Sequence, residues 1–160
     1  MAKRKSMQDA ACPVARALDL VGDRWSMLIV RDAFDGIHRF SDFQRNLGVA
    51  KNILSDRLSG LVGEGILRVE PASDGTSYQQ YVLTPKGESL FAVVVALRQW
   101  GERHLFAGGE PHSLLIEQAS GKVVAPMLPR GHDGGVLAPA GTVVKKIARS
   151  EQILDCGRLV

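Results

Sequence analysis

Between residues 13 and 62 the apolar positions recur at intervals of three and four, the spacing of one face of an α-helix. Val14, Ala17, Leu18 and Val21 mark a first helix over roughly 13–20. Pro13 suits its first position, where the missing N–H would be unpaired anyway, and Gly22 ends it. Trp25, Leu28, Ile29 and Ala33 form the stripe of a second helix that stops before Gly36. Phe43 and Leu47, four apart, predict a third helix ending at Gly48, and Ser41, three residues before Gln44, is its expected N-cap in a capping box. After a turn through Val49 and Ala50, Leu54, Leu58, Leu61 and Val62 lie on one side of a fourth helix. Its other side collects Lys51, Asn52, Ser55, Asp56 and Ser59, and Gly63 and Gly65 close it.

The period then changes. Residues 66–70 and 81–83 are short β-like runs around turn material, Pro71 to Gly75, which predicts a hairpin with a polar tip over 73–80. Thr84 is placed to cap another helix, with Pro85 first in it and Gly87 tolerated in its first turn. That helix carries Leu90, Phe91, Val94, Val95, Leu97 and Trp100, more apolar surface than one face holds, so something besides its own domain is expected to cover it. Residues 107–111 are a Gly-containing break. Beyond it, 114–117 and 123–127 flank a turn at 119–122 as a second expected hairpin, followed by one further apolar run, 143–147.

The expected organisation is therefore a flexible arm (1–10), a helix-rich domain (11–106) and a small β-rich extension (112–160). Three helices, a hairpin and a long closing helix give the order of a winged helix-turn-helix in the α+β class. The major groove is about 12 Å wide and admits one helix, whose exposed side chains reach base edges and phosphates. Asn52 and Ser55 have the short polar groups for base edges, whereas Lys51 and Arg57 suit phosphates. The hairpin tip offers Ser77 and Tyr78 but no Lys or Arg, leaving Arg68 at its base to supply charge. The candidate DNA contacts are Ser41, Lys51, Asn52, Ser55, Asp56, Arg57, Arg68, Ser77 and Tyr78.

A net charge of +3 and a pI near 9.1 permit nucleic-acid binding without arguing strongly for it. No apolar run approaches the roughly 20 residues that span a bilayer, and the basic N-terminus lacks the apolar segment of a secretory signal, so a cytoplasmic protein with no membrane partner is expected. Two cysteines, Cys12 and Cys156, make neither a disulfide framework nor a metal cluster, and the isolated His112 and His132 add little; no metal or cofactor is expected. Cys12 would sit at a helix N-terminus one turn from Arg16, two influences that favour a thiolate. The chain has no Gly-rich phosphate loop, HExxH or nucleophile elbow, which argues against an enzyme.

The run CPVARALDLVGDRWSMLIVRDAFDGIHRFSDFQRNL, then LSDRLSGLVGEGILRV, YVLTPKGESL and LRQWGERHL, resembles the HxlR family of winged helix-turn-helix regulators, relatives of the MarR group, over about residues 11–105. The resemblance implies a homodimeric transcription factor that binds double-stranded DNA at an inverted repeat and dimerises through its first and last core helices. Leu18, Phe91, Val94, Val95 and Trp100 would then form the dimer interface. It also implies a sensing role for Cys12, since several such proteins use a cysteine just before the proline of the first helix to detect oxidants, electrophiles or aldehydes. SGKVVAPML and HDGGVL look like a tail pattern of longer relatives. A small-molecule effector remains open, and the competing reading is a winged-helix protein-interaction module without sequence-specific DNA binding.

Overall fold

The computed structural model describes residues 6–72 and 77–147. The helices are α1 (Pro13–Val21), α2 (Arg24–Phe34), α3 (Phe40–Leu47), α4 (Lys51–Gly63), α5 (Pro85–Glu88) and α6 (Phe91–His104), and the strands β1 (Leu67–Pro71) and β2 (Gln79–Leu83) lie between α4 and α5. By contact density the chain divides into two compact units, split between His112 and Ser113.

In the first unit α2 is the central element, packed against α1, α3, α4, α6 and β2. A helix covered on so many sides has no solvent stripe, which explains why Val30, outside the predicted stripe, is as fully buried as Ile29. Phe43, Leu54, Leu58, Leu61, Ile66 and Leu67 complete the core. Asp32 is also fully buried. Its Oδ1 is 2.7 Å from Arg31 Nη2 and its Oδ2 accepts a 2.8 Å hydrogen bond from Asn46, so the carboxylate is paired and ties α2 to the end of α3.

The third helix begins two residues earlier than its sequence suggests. Arg39, not Ser41, is the N-cap; it makes no side-chain cap bond, and its carbonyl accepts from Phe43 N. Starting at Phe40 sets Phe40, Phe43 and Leu47 on the inner face, and this packing outweighs one hydroxyl cap of about 1 kcal/mol. Ser41 is helical and exposed instead. Gly48 then takes φ +61°, the left-handed conformation that lets the chain turn sharply into α4.

The hairpin is antiparallel and pairs Leu67 with Leu83 through to Pro71 with Gln79, longer at both ends of the tip than the apolar runs imply. Tyr81 N donates to His38 O at 2.8 Å, which fastens the wing to the loop before α3. Thr84 accepts from Gly87 N and donates to Gly65 O at 2.6 Å. Gly87 is required rather than tolerated: a Cβ there would stand 2.2 Å from Ile66 O. The helix expected to run on from Pro85 is broken at Ser89 and Leu90, where Leu90 N bonds Gly87 O in a tighter turn. The closing helix is thus the 14-residue α6.

In the expected arm, Ser6 Oγ and Met7 N both donate to Asp19 on α1. In the second unit the expected hairpin is a single bridge, Ile116 to Val123, with another bridge from Arg130 to Val136 and one 3-10 turn at Pro139–Gly141. None of the described residues 113–147 is buried, so there is no packed face on which strands could extend.

Candidate nucleic-acid interface

The inner face of α4 is anchored by Leu54, Leu58 and Leu61, at 0%, 1% and 3% exposure. This turns Lys51, Asn52, Ser55, Asp56 and Ser59 outward as one exposed polar face, with half-exposed Ile53 at its edge. Ala50, the N-cap, has no side chain to satisfy the first amides of α4, leaving them for water or an anionic oxygen.

Arg57 does not join that face. Its buried Nε lies 3.1 Å from Asp23 Oδ1, close enough for an ion pair without the alignment of a hydrogen bond, and its Nη1 donates to Asp56 at 2.8 Å. Asp23 is the N-cap of α2: Oδ1 accepts from Trp25 N and Ser26 N, and Oδ2 accepts from the buried Ser26 hydroxyl. Burial pushes this carboxyl up, but the Ser26 side chain and amide, the Arg57 charge and the Trp25 amide together hold it below its ordinary value. Arg57, foreseen as a flanking phosphate contact, is thus held in an intramolecular pair, with the outward Asp56 as its second partner. An open cleft of about 630 Å³ lies beside the pair, with Asp19 and Glu64 also on its walls.

Arg68, foreseen as the charge of the wing, is likewise engaged. Its Nε is 3.1 Å from Glu70 and its Nη1 donates to Leu83 O at 3.2 Å. Glu70 also accepts from Gln80; that hydrogen bond, then the one from Arg68, lowers its pKa. Ser77 and Tyr78 are exposed, as a reading wing requires. One residue that periodicity did not single out is Arg39. Its guanidinium stands 5.7 Å from the Tyr78 ring centre, placing a cation between the start of α3 and the wing. A basic residue immediately before the turn motif was the available signal.

Cys12 is exposed and is the N-cap of α1, but Arg16 Nε donates to Ala10 O at 2.6 Å, which aims that cation at the backbone. Cys156 lies outside the described residues. On the helices foreseen as a dimer face, Val14, Leu18, Phe91, Val93, Leu97 and Trp100 are 44–64% exposed. Val94 is half-buried against the core and Val95 is 2% exposed, so Val95 is an internal residue and not part of an outer surface. Among the described residues no three His, Cys, Asp or Glu side chains are grouped to hold a metal, and His112 lays its ring against Phe106. No described helix is long and apolar enough to cross a membrane.

Known proteins fit this geometry. The family model described as HxlR-like helix-turn-helix matches residues 20–108. The uncharacterized HTH-type transcriptional regulator Rv3095 of Mycobacterium tuberculosis is 41% identical over 121 residues, 76% of this chain and 77% of its own length. The crystal structure of PA1607 superposes with a TM-score of 0.85 at 50% identity, covering 89% of this chain and all of that one. The redox regulator HypR in its reduced form is 28% identical, with a TM-score of 0.54 over 59% of this chain and 94% of that one. With a winged helix-turn-helix core and a family match across more than half its length, the chain belongs to the HxlR-like helix-turn-helix family of DNA-binding transcriptional regulators, and it is not an enzyme.

Proposed function

We propose that the protein is a homodimer that reads an inverted-repeat operator, each protomer laying α4 in the major groove and its wing against the flanking backbone. The observation that carries this is the continuous exposed face of α4, Lys51, Asn52, Ser55, Asp56 and Ser59, in a core whose wing is tied to the loop before α3 by the Tyr81–His38 hydrogen bond. The exposed apolar residues of α1 and α6 supply the self-association surface, and two-fold symmetry then sets half-sites about one helical turn of DNA, or a multiple of it, apart. Cys12, accessible at the start of α1, is the redox or electrophile sensor in this reading. It sits on the helix whose Leu18 would meet the second protomer, so a change at the thiol reaches half-site spacing by the shortest route.

Selection of bound duplexes from a random pool, run with reduced and diamide-treated protein, tests the proposal. Enrichment of a symmetric site by reduced protein supports it; a pool that stays unenriched rules out sequence-specific reading. On the selected site, Asn52→Ala and Ser55→Ala are each expected to weaken binding by about 1–3 kcal/mol if they contact base edges. Cys12→Ser should bind as the parent does and ignore diamide. A parent-like diamide response from Cys12→Ser would end the sensing role.

A further inference from the structure

Burial of Leu54, Leu58 and Leu61 holds α4 against the core, but apolar contact is non-directional and sets the rotation of a helix about its own axis less sharply than a polar link does. The polar link here runs to a fixed point. Asp23 is locked on α2 by three donors, the Trp25 and Ser26 amides and the Ser26 hydroxyl, and Ser26 itself is 3% exposed. Arg57 from α4 brings its Nε to 3.1 Å from Asp23 Oδ1. At 3.6 residues per turn, Arg57 lies about 160° round α4 from Ser55 and about 140° from Asn52. The pair thus grips the back of the helix whose front carries the base-reading side chains, and any rotation that releases Arg57 also swings Asn52 and Ser55.

We propose that Asp23 is a positioning residue for operator recognition: through Arg57 it fixes the rotation of α4 that turns Asn52 and Ser55 toward base edges. The inference rests on α4 being the DNA-reading helix. It makes a residue in the loop before α2, on the far side of α4 from the reading face, a determinant of specificity. It also makes Arg57 a specificity residue without a DNA contact of its own.

Asp23→Asn removes the charge that faces Arg57 while Asn, which caps a helix about as well as Asp, keeps an oxygen for the Trp25 and Ser26 amides; its NH2 in place of Oδ2 turns the Ser26 hydroxyl from donor to acceptor. Simple electrostatics predicts that deleting a carboxylate tightens binding to any DNA. Positioning predicts the opposite for the operator: about five- to tenfold weaker binding, the scale on which residues remote from a ligand alter its affinity, with unchanged or tighter binding to an unrelated duplex. The full-length protein would be titrated against fluorescent operator and unrelated duplexes at one salt concentration, with thermal midpoints recorded alongside. Operator binding by Asp23→Asn that equals or exceeds the parent's overturns the proposal.

Arg57→Gln gives an independent arm, decisive even if Asp23→Asn does not fold. Its operator-to-unrelated affinity ratio must fall; an equal loss on both duplexes means an ordinary phosphate contact and overturns the proposal. In the double variant the operator loss must not exceed the larger single loss, because removing either partner already breaks the pair. A parent protein that selects no operator would instead reject the underlying reading of α4, a distinct failure.

Discussion

At the scale of single residues, the ion pair of Asp23 has a consequence in acid. Its native carboxyl is held below the ordinary value of 3.8, so the unfolded chain binds that proton more readily than the folded one. The stabilisation it contributes is complete above the ordinary carboxylate range and is lost as pH falls through the lowered native value. The parent should therefore resist urea better than Asp23→Asn at pH 7, and the gap between their midpoints should close toward pH 3. A gap of the same size at both values would mean that the charge contributes nothing. Arg57 illustrates the limit of reading residues singly. Its position on a polar helix suggested a phosphate contact, yet Asp23, 34 positions earlier in the chain, claims it.

Elements decide how charge is shared across the interface. Lys51 is exposed at the first turn of α4, whereas Arg68 on β1 is already bridged to Glu70 and Leu83 O. Each phosphate neutralised by a free cation adds nearly one unit to the salt slope of binding, so Lys51→Ala should flatten log K against log salt by about one unit. Arg68→Ala should change it by clearly less, because its charge is offset before DNA arrives. Equal changes from both would mean that Arg68 leaves Glu70 on binding. The same scale explains α6, whose apolar surplus divides between an inward residue, Val95, and outward residues, Leu97 and Trp100. Trp100→Glu is expected to give a folded monomer by light scattering, and Val95→Glu an unfolded chain, since a carboxylate at a 2% exposed site has no partner or water. A Trp100→Glu protein that stays dimeric would move the interface off this face.

On the scale of the whole molecule, two units of different character share one chain. The first has a core around α2; the hydrogen bond from Asn46 to Asp32 links α3 to α2, and the one from Tyr81 N to His38 O ties the wing to the loop before α3. The second holds its described backbone by turn hydrogen bonds, for instance Val124 N to Leu115 O and Gly131 N to Gly135 O, with none of its described residues buried. PA1607 matches nearly all of the chain, whereas HypR matches 59% of it, so the likeness to HypR reaches over a smaller part. The regulatory reading belongs to the winged core.

Local patterns were enough for much of this protein. Helical periodicity, Pro13, Gly48, the run of leucines in α4 and the Thr84–Pro85 start located the elements and their order, because each depends on neighbours within a turn or two. The polar face of α4 was legible for the same reason: once Leu54, Leu58 and Leu61 point inward, 3.6 residues per turn leaves Asn52 and Ser55 outside. What only tertiary structure decided were matters of long-range competition. The start of α3 went to packing of Phe40 over the Ser41 cap, Gly87 became obligatory through the approach of Ile66 O, and Val95 went inward while Trp100 stayed out. Arg57 found Asp23, 34 positions away, which spacing along one helix face could not rank, whereas Arg68 found Glu70 two residues along its own strand. Charge pairing and close approach depend on distances across the fold, and a one-dimensional pattern holds no record of them.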